Sequence, residues 1–215
     1  MSDITVLVVD DQRLFAESIA RVLDEAVGIG SVGIAATAAE AREAAARTEP
    51  DVVLMDFRLP DGNGIDAASA ILDARPATKV IMLTAAEDES IFLRAIEAGC
   101  AGFLTKDQAI DELEDAVRTV HAGDPLIRHD TLARVLRNAR ATSTNGHTRP
   151  LTDRELQVLE FMASALTPRQ IARRLHLSEK TVRNYVQGIL VKLGCHSKLE
   201  AVLVATRRGI IPPVS

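Results

Sequence analysis

Five side chains suited to phosphoryl chemistry stand at four separate points in the first half of the chain. Asp10 and Asp11 follow one apolar run, Asp56 follows a second, and Thr84 and Lys106 follow two more. Clustered carboxylates repel one another unless a cation lies among them, and Mg²⁺ prefers such oxygen ligands. With such a metal, an aspartate can attack a phosphoryl group and form an acyl phosphate. Lys106 could then neutralise the phosphoryl oxygens, and Thr84 could hydrogen-bond to them.

The elements that would bring these side chains together alternate between strand and helix. Apolar runs predict five strands, the first of them continuous as in a strand covered on both faces, and apolar residues at helical spacing predict a helix after each strand. The strands are predicted at 4–9, 31–36, 52–55, 79–83 and 101–104. Five such units imply an α/β fold with a doubly wound parallel sheet. Ligands of such sheets bind beyond the carboxyl ends of the strands, so the five side chains are expected to share one rim.

The second half predicts short helices only. Residues 130–140 could form a short linker helix, and the polar stretch 141–150 is typical of a flexible joint. Beyond it, Thr152 with Glu155 forms a capping-box pattern, Thr167 precedes Pro168, and Ser178 opens a third helix that Gly194 closes. A fourth helix is predicted at about 197–208. We therefore predict three regions, at 1–123, 124–149 and 150–215, the last being a small all-α helix-turn-helix unit.

Charge is divided unevenly between the two halves. The whole chain carries a net charge of −5, which separates into −14 for residues 1–124 and +9 for residues 125–215. This asymmetry predicts an acidic first half and a second half that binds a polyanion. No apolar run reaches the roughly 18 residues that span a bilayer, and no secretory signal is recognisable. With only two distant cysteines, we expect a cytoplasmic protein without a membrane partner.

Four stretches of the first half match a known family in order and spacing. "VLVVDDQ", "VVLMDFRLPDGNGID", "VIMLTA" and "AGCAGFLTKD" together resemble the flavodoxin-like receiver domain of two-component response regulators. The resemblance implies that a sensor histidine kinase phosphorylates Asp56 and that Thr84 and Lys106 sense the phosphoryl group. It implies that Thr84 acts as a switch together with Phe103. It also implies a Mg²⁺ ion bound by Asp10, Asp11, Asp56 and the backbone carbonyl of Arg58.

Each of these residues has an ordinary alternative when it is taken singly. The aspartates and Thr84 could cap helices or a turn, Lys106 could be solvated, and Phe103 could be a core residue. A Mg²⁺-dependent phosphohydrolase with an aspartate nucleophile would use a similar rim. Haloacid-dehalogenase-like enzymes, however, typically place a second aspartate where this chain has Arg58, and no cap domain is recognisable. We therefore predict a protein that is not an enzyme, with a phosphorylation-independent regulator as a further alternative.

Residues from about 150 to 210 resemble the LuxR-type helix-turn-helix domain of the NarL/FixJ class. The matching stretches are "LTDRELQVLEFMA", "TPRQIARRLHLSEKTVRNYVQGILVKLG" and "SKLEAVLVA". The resemblance implies a transcription regulator that binds double-stranded DNA, as a homodimer when active. The chain departs from the family's common residues at Ala165, where Gly is frequent, at Tyr185, where His is frequent, and at Lys198-Leu199, where Arg-Thr is common.

The third helix of this unit is predicted to read DNA. An apolar stripe marks its inner face: Val182, Val186, Ile189, Leu190 and Leu193. Arg183, Asn184 and Gln187 are suited to base edges in the major groove. Phosphate contacts are expected from residues at or near helix starts: Lys180, Thr181, Thr167 and Arg169. The alternative is an ordinary solvated helix face.

Two further expectations concern the end of the chain. The last helix is expected to form the dimer surface through Ala201, Val202, Val204 and Ala205. Cys195-His196 is expected to be a loop pair and not a metal site, because no partner cysteines stand near it in the sequence.

Overall fold

The computed structural model describes residues 3–84, 89–127, 132 and 151–212. The chain forms two compact units, Met1–Leu126 and Ile127–Ser215. The predicted joint at 141–150 lies outside the described residues, as does the predicted linker helix apart from Leu132. The domain boundaries given above stay predictions.

The first unit is built on a five-stranded parallel sheet, which confirms the predicted α/β class. Its strands are ordered β2-β1-β3-β6-β7, so the order reverses between β1 and β3. The sheet strands are β1 (Ile4–Val9), β2 (Ile29–Ala35), β3 (Val52–Asp56), β6 (Lys79–Thr84) and β7 (Gly102–Thr105). The helices are α1 (Arg13–Glu25), α2 (Ala38–Thr48), α3 (Gly64–Ala74), α4 (Glu89–Glu97) and α5 (Lys106–His121).

Burial on both faces explains why the inner strands are mainly apolar, whereas the edge strand β2 is mostly half-buried. Every side chain from Val6 to Val9 and from Val52 to Met55 is fully buried. On one face, Val6, Leu54 and Leu83 belong to a core cluster with residues of α1 and α5. Neighbouring residues point to the other face because side chains alternate along a strand. The three inner strands thus end in fixed positions at the rim where the candidate side chains stand.

A short antiparallel hairpin after β3 is the main feature that the sequence did not predict. The hairpin consists of β4 (Arg58–Leu59) and β5 (Gly62–Asn63), with Pro60 and Asp61 at the turn. Helix α5 also begins earlier than its first apolar marker, Ile110. It begins at Lys106 because Thr105 and Gln108 form a capping box there. Lys106 is therefore held at the first turn of a helix.

The second unit consists of four short helices in its described residues. They are α6 (Asp153–Ala163), α7 (Pro168–Leu175), α8 (Glu179–Leu193) and α9 (Lys198–Arg207). The predicted caps are confirmed at Thr152, Thr167 and Ser178, whose side chains each accept a backbone N–H, and Gly194 ends α8 in the left-handed conformation. None of the described helices in the chain is both long and apolar enough to cross a bilayer.

The expectation for the last helix is wrong for three of its four residues. Ala201, Val202 and Ala205 of α9 are at most 1% exposed, and Val204 is half-buried. A periodic apolar face looks the same in sequence whether it covers its own core or a second subunit. Here it is buried within the folded chain, so these side chains are not a free dimer surface.

Ala165 is expected to reduce the stability of the second unit. It lies just beyond α6 at φ 55°, with its N–H bonded to Met162 O and that of Leu166 bonded to Phe161 O. The left-handed conformation costs a residue with a Cβ about 1 kcal/mol, whereas glycine adopts it freely. Ala165→Gly should therefore raise the free energy of unfolding by about 1 kcal/mol or slightly less. Urea unfolding followed by circular dichroism measures this.

The reverse exchange is available at Gly194 as a control. Gly194 has φ 70°, and a Cβ added there would meet open space. Gly194→Ala should therefore lower stability through backbone strain alone. Equal stability of Ala165→Gly and the unchanged protein would show that the turn after α6 relaxes at no cost.

Candidate functional site

Three aspartates and one lysine meet at the carboxyl end of the sheet. One carboxylate oxygen from each of Asp10, Asp11 and Asp56 lies within 4.8 Å of the others. Lys106 Nζ lies 2.6 Å from Asp10 Oδ2 and 2.9 Å from Asp56 Oδ2. Asp10 and Asp56 are buried, whereas Asp11 is exposed. The structure thus brings together four of the residues that the sequence placed on one rim.

The two oxygens of Asp10 have different surroundings. Oδ1 accepts a hydrogen bond from the backbone N–H of Gln12 at 2.9 Å, so Asp10 also supports the start of α1. Oδ2 is buried beside the Lys106 ammonium but accepts no well-aligned hydrogen bond from any described residue. A buried carboxylate oxygen with incomplete coordination is suited to bind a further cation.

The rim perturbs the protonation of its central aspartate. Burial raises the pKa of Asp56 above its ordinary value, the hydrogen bond from Lys106 opposes this effect, and the charge of Asp10 adds to it. Burial lowers the pKa of Lys106, but its close contact with Asp10, its hydrogen bond to Asp56 and the negative charges of both carboxylates outweigh burial and leave the pKa raised. Lys106 Nζ also lies 5.1 Å from the centroid of the Phe15 ring. The lysine therefore stays charged and is the counter-ion of the carboxylate cluster.

The cluster fits a divalent cation. It offers carboxylate oxygens from two buried groups and one exposed group, and Mg²⁺ typically combines one or two carboxylates with water and phosphate oxygens. The backbone N–H of Arg58 lies near this cluster, where it acts to lower the pKa of Asp56. This interaction involves the N–H of Arg58, so a metal bond from the Arg58 carbonyl stays a prediction.

Thr84 and Phe103 lie beside the rim on neighbouring strands. Thr84 is buried at the end of β6, where it pairs in register with Thr105 of β7. Phe103 is 9% exposed and packs edge to face against Phe92 of α4, with ring centroids 4.6 Å apart. Its ring is thus already buried in this structure. The switch roles of the two residues stay predictions, and the packing of Phe103 indicates which helix would respond.

A second candidate surface lies on α8. Val182, Val186, Ile189 and Leu193 are buried, whereas Leu190 is half-buried. The opposite face is exposed to solvent at the side chains predicted to reach DNA: Lys180, Arg183, Asn184 and Gln187. Arg183 lies 3.8 Å from Glu179, one turn earlier on α8. This face can offer cationic and amide groups to a polyanion.

Of the two threonines predicted to contact phosphate, Thr167 is itself a helix cap and Thr181 hydrogen-bonds to the Ser178 cap. Thr167 Oγ1 donates to Gln170 Oε1 at 3.1 Å and accepts the N–H of Gln170. Thr181 Oγ1 shares a hydrogen bond with Ser178 Oγ at 2.8 Å. Arg169 is exposed in the first turn of α7 and forms no side-chain hydrogen bond or ion pair with a described residue, so it is better placed than Thr167 to donate to a phosphate.

Glu155 helps to position α8, a role that was not predicted from the sequence. Its carboxylate lies 2.6 Å from Lys192 Nζ near the end of α8 and also completes the capping box of Thr152. Gly188 allows this approach, because a Cβ there would lie 3.1 Å from Glu155 Oε1. Only the capping box could be predicted, since the ion pair joins residues 37 positions apart.

Cys195 lies in the half-buried turn after α8. Burial, together with the charge of Glu200, raises the pKa of its thiol to about 12. The thiol therefore stays protonated near neutral pH, which disfavours metal binding through a thiolate.

The comparisons with known proteins cover both units. The family model described as "Response regulator receiver domain" matches residues 6–118, and that described as "Bacterial regulatory proteins, luxR family" matches residues 149–205. The chain is 33% identical over 216 residues to the transcriptional regulatory protein LnrK of Bacillus subtilis (strain 168), with 96% of this chain and 98% of that protein covered.

Two further similarities cover much of the chain. It is 35% identical over 204 residues to the DNA-binding transcriptional activator DevR/DosR of Mycobacterium tuberculosis (strain ATCC 25618 / H37Rv), with 94% of each chain covered. A solved two-component response regulator of the LuxR family from Aurantimonas sp. SI85-9A1 matches with a TM-score of 0.58 and 30% identity. That match covers 66% of this chain and 100% of the other.

Replacing the central aspartate by its amide should stabilise the metal-free protein at neutral pH. Because the pKa of Asp56 is raised in the folded state, ionisation of this carboxyl opposes folding. The favourable contribution of this carboxyl to folding stability is complete below its unfolded-state pKa, and it is lost as pH rises through its folded-state pKa. Asp56→Asn should thus be more stable than the unchanged protein at pH 7 in chelator, and the difference should shrink towards pH 4.

Urea unfolding at a series of pH values measures this difference. Asp115→Asn, at an exposed position of α5, is the control and should show no such pH-dependent gain. A lower stability of Asp56→Asn at pH 7 would mean that the Lys106 ion pair outweighs the cost of burying the carboxylate.

Proposed function

The chain belongs to the response regulators that join a receiver domain to a LuxR-type DNA-binding domain, and from this premise we propose that phosphoryl transfer to Asp56 controls its binding to DNA. Members of this family are DNA-binding transcriptional regulators. The observation that carries the proposal is the cluster of three carboxylates around Lys106 at the end of the sheet.

The phosphoryl donor is a phosphohistidine of a sensor kinase. An oxygen of Asp56 attacks phosphorus, the phosphorus–nitrogen bond breaks, and the imidazole retains the bonding electrons and takes up a proton. Asp56 becomes an acyl phosphate. Asp10, Asp11 and Asp56 would hold Mg²⁺, which supplies positive charge to the transferring phosphoryl oxygens. Lys106, now paired with Asp56, is placed to bind an oxygen of the new group.

The added group acts by changing partners at the rim. A phosphoryl group brings negative charge and strong acceptor oxygens, so the Lys106 ammonium and the Thr84 hydroxyl gain new partners. Thr84 is next to β7, whose Phe103 packs against α4. The phosphoryl group favours whichever conformation gives it the better contacts, and only this difference shifts the population.

DNA binding is assigned to the exposed face of α8. Arg183, Asn184 and Gln187 are proposed to contact base edges, and Lys180 and Arg169 to contact phosphates. A homodimer would read two half-sites about one DNA turn or a multiple of it apart. Since Ala201, Val202 and Ala205 of α9 are buried, we propose that the dimer forms through side chains other than these three.

The receiver chemistry is tested by labelling with a small phosphoryl donor, acetyl phosphate, in the presence of Mg²⁺. The unchanged protein should gain an acid-stable, base-labile phosphate, because an acyl phosphate has that stability pattern. Asp56→Asn should lose the label, since an amide oxygen is a poor nucleophile, and Asp115→Asn should keep it. Equal labelling of Asp56→Asn and the unchanged protein would remove Asp56 from this role.

The DNA face is tested by the salt dependence of binding to a duplex of random sequence. Each phosphate contact contributes about one unit to the slope of log K against log salt concentration. Lys180→Ala and Arg169→Ala should each reduce the slope by about one unit, whereas Arg47→Ala, on the first unit, should not. An unchanged slope for both would contradict phosphate contacts at these positions.

Base recognition needs a duplex selected from random sequences by the protein itself. Arg183→Ala and Gln187→Ala should weaken binding to the selected duplex by about 1–3 kcal/mol while changing binding to the random duplex little. Arg47→Ala again is the control. An equal loss on both duplexes would assign these side chains to phosphates.

A further inference from the structure

The tip of the β4–β5 hairpin is fastened to the start of α2. Asp61 Oδ1 accepts the backbone N–H of Ala38 at 2.7 Å, and Asp61 Oδ2 accepts that of Ala39 at 3.0 Å. These two hydrogen bonds hold the pKa of Asp61 below its ordinary value. The carboxylate is therefore ionised at neutral pH and bridges two elements that are more than 20 residues apart.

Helix α2 does not depend on Asp61 for its cap. Thr37 is the N-cap residue, and its side chain accepts the N–H of Glu40. Glu40 Oε2 in turn accepts the N–H of Ala36 at 2.8 Å. Asp61 takes the two N–H groups of the first turn that this local arrangement leaves over, and so joins the hairpin to a helix start that already has its cap.

The other end of the same hairpin borders the phosphorylation site. Phe57 O, next to Asp56, accepts the N–H of Gly64 at 2.8 Å, and the following residue Arg58 pairs with Asn63 in the hairpin. A Cβ at Gly64 would lie 1.9 Å from the Asp56 carbonyl oxygen, so no space separates the end of β3 from the start of α3. The backbone of Arg58 is thus fixed between the Asp56 end and the Asp61 end of a six-residue segment.

We propose that Asp61 is a positioning residue for the cation and phosphoryl site. By fastening the hairpin tip to α2, it would hold the Arg58 backbone beside Asp56, where the Arg58 carbonyl could join the three aspartates in binding a cation. Two oxygens are needed, because each binds a different N–H group. This inference rests on the proposed function, since it assigns Asp61 to the same site without placing it in contact with the phosphoryl group.

The experiment measures Mg²⁺ affinity of the full chain by titration calorimetry for the unchanged protein, Asp61→Ala, Asp61→Asn and Asp24→Ala. Asp24 is the matched control: it is an exposed aspartate of the same unit whose Oδ1 accepts a backbone N–H, that of Ser31, at 2.7 Å. We expect Asp61→Ala to weaken Mg²⁺ affinity about tenfold, as loss of an outer-sphere partner does. Asp61→Asn keeps one acceptor oxygen, so its Mg²⁺ affinity should lie between those of Asp61→Ala and the unchanged protein. Asp24→Ala should bind Mg²⁺ as tightly as the unchanged protein.

A second readout separates positioning from general destabilisation. Initial labelling by acetyl phosphate should be slower in Asp61→Ala at limiting Mg²⁺ and should recover most of its rate at saturating Mg²⁺, whereas Asp24→Ala should be unaffected at both. Asp61→Ala with unchanged Mg²⁺ affinity and a melting temperature lowered as far as in Asp24→Ala would overturn the inference. Failure of the unchanged protein to bind Mg²⁺ and accept phosphate would instead overturn the proposed function, and this inference with it.

Discussion

Electrostatic repulsion among three carboxylates is the constraint on which the rim of the first unit depends. Their oxygens lie within 4.8 Å of one another, and two of the three groups are buried. Lys106 offsets this repulsion by contacting Asp10 and Asp56 together. The aspartates are nevertheless not all satisfied, as the raised pKa of Asp56 and the incomplete coordination of Asp10 Oδ2 show. An arrangement of this kind favours the binding of a further cation.

The sheet can maintain this arrangement because its inner strands cannot slip. A shift of one residue would exchange the two faces of a strand. Both faces of β3, and of β1 from Val6 to Val9, are buried, so any slip would disrupt two packed layers at once. The position of Asp56 is further fixed by the contact of Gly64 with the end of β3. The geometry of the site is therefore a consequence of core packing far more than of its own polar contacts.

The sequence predicts those features whose physical cause is local or periodic. The buried strands, the caps at Thr152, Thr167 and Ser178, and the common rim all follow from runs and spacings along the chain. The two-residue strands of the hairpin are too short to show a period, although Leu59-Pro60-Asp61-Gly62 has typical turn composition. Contacts such as Glu155 with Lys192 join distant residues without leaving a local pattern. The apolar face of α9 was misassigned because hydrophobicity does not say which surface covers it.

The position of Lys106 also explains how a change at Asp56 could affect the conformation of α4 and α5. Lys106 is the first residue of α5, and Thr105, which caps that helix, pairs in register with Thr84. Phe103 lies two residues earlier on β7 and contacts Phe92 of α4. If Lys106 exchanged Asp56 for a phosphoryl oxygen, as proposed, the movement would act on the start of α5 and on the strand that supports α4. Packed side chains favour discrete arrangements over gradual deformation, so such a movement is expected to shift α4 and α5 between two states. A local change of ion-pair partner would then be sufficient to reshape the surface that α4 and α5 form.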